Sequence, residues 1–177
     1  MLQIQFNEIP ENGVRLNIDD ISWFPDQEMT RCSEPEAVVN LKRSGDRVLV
    51  NGSIRVALVF YCDRCLEKFT SPQGLDFQLV LEVTGPEGDF SDRQDVEIEF
   101  DSGQIEVLAF DGHSIDLGEL LYQQMILAVP QKNLCRFDCR GICEHCGTNL
   151  NSQPCSCSGE VAMSPFAALN QLLKNNK

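Results

Sequence analysis

Residues 47–60 read Arg47-Val48-Leu49-Val50-Asn51-Gly52-Ser53-Ile54-Arg55-Val56-Ala57-Leu58-Val59-Phe60, and the fold depends on how that run divides. Two apolar stretches flank Asn51-Gly52, a dipeptide that tolerates positive φ at both central positions of a type I′ turn. The run therefore predicts a β-hairpin turning at Asn51-Gly52. Working outward, Leu2-Gln3-Ile4-Gln5-Phe6 and Val14-Arg15-Leu16-Asn17-Ile18 alternate apolar and polar residues as half-buried strands do. Residues 75–83 place Phe77, Leu79, Leu81 and Val83 on one face of a further strand.

The period changes near Ile115. Asp116 is placed to cap a helix running to about Val129, with Glu119 three residues on as a capping-box partner. Leu117, Leu120, Leu121, Met125 and Ala128 make its apolar stripe, widened by Ile126 and Val129, and Pro130 ends it. Ser164-Pro165 opens a second short helix carrying Phe166, Leu169, Leu172 and Leu173. The expected class is α+β: a predominantly antiparallel sheet, barrel-like closure left open, followed by helices, with a small cysteine-rich zinc-binding insertion near the C-terminus. The expected domains are 1–130, mainly β with a closing helix; 131–160, the cysteine-rich zinc module; and 161–177, the short terminal helix.

Charge narrows the partners. The formal net charge is -13, from 27 acidic and 14 basic residues. Such a chain is repelled at long range by nucleic acid and anionic membrane and favours basic partners. The charge concentrates at 86–111, where Glu87, Asp89, Asp92, Asp95, Glu97, Glu99, Asp101, Glu106 and Asp111 face one basic residue, Arg93. That stretch reads either as a solvated loop with strand edges or as a docking face for a basic partner. The longest apolar run, Val56-Ala57-Leu58-Val59-Phe60, is strand-sized, and residues 1–10 lack the pattern of a secretory leader. A cytoplasmic, reducing setting is expected, in which clustered cysteines serve as ligands or catalytic thiols more often than as disulfides.

The cysteines carry the chemistry. Cys143-Glu144-His145-Cys146-Gly147 has the two-residue spacing that lets both sulfurs bind one tetrahedral ion, with glycine allowing the tight turn. Cys155 and Cys157 return a second pair, so Cys143, Cys146, Cys155 and Cys157 form the first expected Zn²⁺ site; Cys139 or Cys135 can replace a member of the tighter pair. Cys62-Asp63-Arg64-Cys65 has three open readings. It can join Cys135 and Cys139 in a second four-cysteine site, cycle as a thioredoxin-like redox pair, or form a turn with metal-free thiols. Residues 131–160 hold too few aliphatic side chains to order themselves, and a metal can supply the missing free energy. Cys32 stands alone, and His145 is expected to face solvent.

Nothing else suggests an enzyme. The two histidines, His113 and His145, fit no nucleophilic triad, and there is neither an HExxH motif nor a glycine-rich phosphate loop. No catalytic residue and no small-molecule substrate are expected. Lys132, Arg136 and Arg140, with Arg55, Arg64 and Lys68, are local basic residues able to meet phosphates despite the overall charge.

The order and spacing of several segments resemble the YceD family, the large ribosomal RNA subunit accumulation proteins. They are Cys62-Asp63-Arg64-Cys65-Leu66-Glu67-Lys68-Phe69, Ile115-Asp116-Leu117-Gly118-Glu119, Leu127-Ala128-Val129-Pro130, residues 139–151 and Ser164-Pro165-Phe166-Ala167-Ala168-Leu169. The likeness spans most of residues 47–173. It implies a factor supporting synthesis, processing or stability of large-subunit ribosomal RNA during ribosome assembly, in the bacterial cytoplasm or, after removal of a leader, the plastid stroma. The implied partners are a basic ribosomal protein or a pre-ribosomal particle, with direct RNA binding and thiol–disulfide exchange as alternatives. Some family members keep the first CxxC without the C-terminal cysteines, which implies that zinc here is scaffolding.

Overall fold

The run around Asn51-Gly52 is one strand in the computed structural model, which describes residues 2–83, 106–110 and 112–157. β5 (Arg47–Tyr61) passes straight through the dipeptide. Asn51 and Gly52 pair with Asn40 and Val39 of β4 (Glu36–Ser44) on one side, and with Gln78 and Phe77 of β6 (Lys68–Val83) on the other. The hairpin expected at Asn51-Gly52 is thus overturned. The neighbouring strand supplies the reason: a Cβ on Gly52 would fall 2.0 Å from Phe77 Cζ. Glycine is there to seat an aromatic ring, an arrangement known to rescue strand glycines. The turn itself lies earlier, where Ser44 pairs with Arg47 and Gly45 adopts φ 60°.

Alternation is unbroken along β5. Val48, Val50, Gly52, Ile54, Val56 and Leu58 are buried, whereas the residues between them are not. One face of a long strand therefore enters the core, as a period of two requires. β2 (Val14–Ile18), β4, β5, β6 and β7 (Glu106–Phe110) lie side by side in that order, and β3 (Thr30–Arg31) pairs with the far end of β5. Neighbours are antiparallel except β6 and β7, which run parallel. β1 (Gln3–Gln5) and β8 (Ser114–Asp116) form a separate two-stranded pair. Among the described residues the sheet does not close into a barrel, and a single α-helix accompanies it. The described residues are mostly β, with one helix in place of the helices expected of an α+β fold, and two strands of 15 and 16 residues absorb what reads locally as shorter pieces.

The helix, α1 (Leu117–Ala128), starts where expected. The Asp116 carboxylate accepts a hydrogen bond from the Glu119 backbone N–H at 3.1 Å. Leu117, Leu121 and Met125 join Leu41, Ile54, Leu58 and Leu79 in one apolar cluster. Ile126, expected to widen the stripe, is instead an exposed side chain. Full burial of a Leu or Ile contributes about 1.5–3 kcal/mol, so this cluster dominates the sheet's stability. No described helix is long and apolar enough to cross a membrane.

The chain divides into two compact units. The first comprises Met1–Tyr61 and Lys68–Asn133; the second comprises Cys62–Glu67 and Leu134–Lys177. The connection between β5 and β6 thus belongs to the second unit. The acidic stretch at 86–105 and the second helix expected at 164–173 lie outside the described residues.

Candidate metal centres

The second unit contains two tight turns of the same construction. In the first, Leu66 N–H donates to the Cys62 carbonyl at 2.9 Å and Cys62 N–H donates to the Glu67 carbonyl at 2.9 Å. In the second, Gly147 N–H donates to the Cys143 carbonyl and Cys143 N–H to the Thr148 carbonyl, again at 2.9 Å each. Both turns aim the two thiols of a CxxC to one side. The fifth position takes positive φ in both, 60° at Leu66 and 71° at Gly147. Glycine is at home there, whereas a leucine pays about 1–2 kcal/mol in backbone strain. Leu66 is the one non-glycine residue with positive φ among the described residues.

Each turn meets a second cysteine pair. Cys62, Cys65, Cys135 and Cys139 form one group, and Cys143, Cys146, Cys155 and Cys157 form another; within each, all four sulfurs lie within 4.8 Å of one another. Cys62 and Cys139 stand 3.7 Å apart, Cys65 and Cys135 3.6 Å, and Cys143 and Cys155 3.5 Å. Disulfide sulfurs would be about 2.05 Å apart, so these are free thiols. Sulfurs at about 2.3 Å from a tetrahedral ion stand about 3.8 Å from each other. The separations fit that arrangement. Both groups could hold a metal ion.

The crowded thiols ionise unequally. Burial raises the Cys62 thiol, but hydrogen bonding at the backbones of Cys135, Cys65 and Arg64 outweighs it and brings the group down to about 6. Burial and the neighbouring sulfurs of Cys65, Cys139 and Cys62 push Cys135 up to about 12. In the other group, the Thr148 hydroxyl and backbone draw Cys146 down to about 6, and Cys146 and burial push Cys157 up to about 12. Four thiolates so close together repel one another, and a dication relieves that repulsion.

Polar bonds tie the first group's two chain segments together. Arg64 Nη1 donates to the Cys139 carbonyl at 2.8 Å, and Ile142 N–H donates to the Arg64 carbonyl at 3.2 Å. Gly141, at φ 76°, lets the chain pass there, since an added Cβ would sit 3.1 Å from the Arg64 carbonyl oxygen. Asn149 Nδ2 donates to Glu67 Oε1 at 2.7 Å, and Asn151 Nδ2 donates to Cys139 Sγ at 3.3 Å.

The eight cysteines named from sequence as ligands thus fall into two groups of four, with Cys135 and Cys139 beside Cys62 and Cys65 rather than exchanging with Cys155 or Cys157. His145 is exposed and belongs to neither group, and Cys32 lies on the sheet unit with its thiol 3.4 Å from the Ala57 carbonyl. Several basic residues considered for phosphate contact are engaged internally. Arg55 makes a two-pronged pair with Asp76, Arg64 holds the Cys139 carbonyl, and Arg136 reaches Asn151 and Asp138. Sequence reasoning missed Glu67, Asn149 and Asn151. The available signal was polar: an Asn-x-Asn immediately after the second turn, in a segment with little apolar residue to pack.

A family model described as "Large ribosomal RNA subunit accumulation protein YceD" matches residues 50–173. No curated protein and no solved structure matches the chain.

Proposed function

We propose, for a chain that belongs to the YceD family, a non-catalytic role in which a zinc-shaped module and an acidic surface engage a basic component of the large ribosomal subunit. The family's description ties it to accumulation of large-subunit ribosomal RNA; the means proposed here is contact with a basic ribosomal protein or ribonucleoprotein during assembly.

The observation that carries this reading is the pair of four-thiol groups. Four soft donors suit Zn²⁺, and an ion held by four thiolates has no open position for water. Such an ion supplies cross-linking and charge neutralisation, not hydrolysis. Cys62, Cys65, Cys135 and Cys139 would hold one ion, and Cys143, Cys146, Cys155 and Cys157 the other. Engagement of Cys62 and Cys65 with a metal also withdraws them from disulfide exchange. The acidity, a net charge of -13, supports a basic partner over free RNA.

The test is binding of the purified, metal-loaded chain to isolated large-subunit proteins and, separately, to protein-free large-subunit RNA. Retention of a basic protein, weakening as salt rises, is expected, with no RNA binding at low salt. RNA binding that falls steeply with salt, without retention of any protein, would overturn the proposal in favour of direct RNA recognition.

A further inference from the structure

We propose that Asn151 couples the two cysteine centres, so that a metal bound at either one strengthens binding at the other; this deepens the zinc reading and rests on it. Asn151 belongs by sequence to the second centre, lying between Cys146 and Cys155. Its side chain nevertheless serves the first. Nδ2 donates to Cys139 Sγ at 3.3 Å, and a thiolate accepting an N–H is a weaker electron donor that crowds its neighbours less.

The orientation of the amide is fixed from both ends. Oδ1 accepts from Arg136 Nη2 and from the Arg140 backbone N–H, each at 2.7 Å. Both residues flank Cys139. Two donors on Oδ1 leave Nδ2 facing the sulfur, and Nδ2 also donates to Asn149 Oδ1 at 2.8 Å. The Asn151 backbone N–H donates to that same oxygen at 2.9 Å, while Asn149 Nδ2 reaches Glu67. One polar chain therefore runs from Glu67 through Asn149 and Asn151 to Cys139.

Backbone bonds hold the segment that carries Asn149 and Asn151 against Gly141, Ile142 and Cys143, where the second centre begins. Ile142 bridges to Asn149, Cys143 N–H donates to the Thr148 carbonyl, and Leu150 N–H donates to the Gly141 carbonyl at 2.9 Å. Ser152 and Gln153 N–H groups close onto the Asn149 carbonyl at 3.2 Å each. A metal clamping Cys143 and Cys146 to Cys155 and Cys157 fixes both ends of the segment carrying Asn151. The donor to Cys139 is then already in position when the first centre fills. Coupling of this kind is reciprocal by thermodynamic necessity.

Titration of the reduced full-length chain with Co²⁺, read by thiolate-to-metal charge-transfer absorption and then displaced by Zn²⁺, tests this. Asn151→Asp keeps an acceptor for Arg136 and Arg140 but places a carboxylate oxygen against the sulfur. It should weaken the first centre about 10–100-fold, weaken the second only by the coupling lost when the first is filled, and move the first centre's charge-transfer band to lower energy. Removal of the second centre by Cys146→Ser with Cys157→Ser should weaken the first by a similar factor, and by no more when Asn151→Asp is also present. Wild-type affinity and spectrum in Asn151→Asp would overturn the role of Asn151. A first centre of undiminished affinity after removal of the second would overturn the coupling, even if Asn151→Asp itself failed to fold. Wild-type chain that takes up no Co²⁺ or Zn²⁺ would instead reject the metal reading beneath both.

Discussion

The two units bury different chemistry. In the sheet unit the buried side chains are Val39, Leu41, Val48, Val50, Ile54, Leu58, Leu121 and their like; in the second unit the buried side chains among the described residues are Cys62, Cys65, Cys139 and Cys143. Phe137, the largest apolar residue described there, is 97% exposed. One unit folds by removing aliphatic surface from water. The other has almost none to remove, and the order proposed for it comes from metal bound by its cysteines. Hydrogen bonds alone do not replace that term, since each contributes only about 0.5–1.5 kcal/mol net.

The two units should part most visibly under a chelator. Apparent binding free energies of structural zinc are about 10–16 kcal/mol, larger than any single core truncation. Stripping the metal from reduced protein should abolish amide exchange protection at Cys143, Gly147 and Leu150, whose N–H groups are bonded inside the second unit. Strands β4 and β5 should stay protected in the same hydrogen-exchange experiment. Equal loss across both units would erase the distinction.

The converse perturbation is smaller. Leu121→Ala or Ile54→Ala opens a cavity in the aliphatic cluster and should cost about 2–5 kcal/mol in denaturant unfolding of the sheet, with the metal count unchanged. Gly52→Ala should cost about 1–3 kcal/mol, because its Cβ meets the Phe77 ring. Phe77→Ala in the same chain should recover part of that loss. A harmless Gly52→Ala would mean that the ring moves aside freely.

The smallest effect has the opposite sign. Leu66→Gly relieves a left-handed backbone at an exposed position, 63% accessible, and gives the first turn the residue that the second has in Gly147. It should stabilise the metal-loaded unit by about 1 kcal/mol, measured by competition with a chelator of known affinity. A loss of stability would mean that the leucine side chain does something its exposure does not suggest.

How much of this was legible follows the range of the interactions. Cys143, Cys146, Cys155 and Cys157 sit close along the chain, and spacing alone suggests their grouping. Cys62 meets Cys139 across 77 residues and Cys65 meets Cys135 across 70, so only the fold brings that group of four together. The helix was legible because Asp116 and Pro130 bound it locally. Asn51-Gly52 misled for the same reason. Its local turn chemistry is real, but a ring on the next strand claimed the space beside Gly52. The network through Glu67, Asn149 and Asn151 was missed because asparagines near turns ordinarily satisfy their own backbone, so the Asn-x-Asn signal reads as local.

Native mass spectrometry of freshly purified, reduced chain weighs each ion that the folded protein retains. The expected mass is that of the chain plus two zinc ions, both lost in denaturing acid. Bare chain mass in native conditions, with residues 134–157 as well protected from exchange after chelator as before it, would rule out metal as the source of that segment's order.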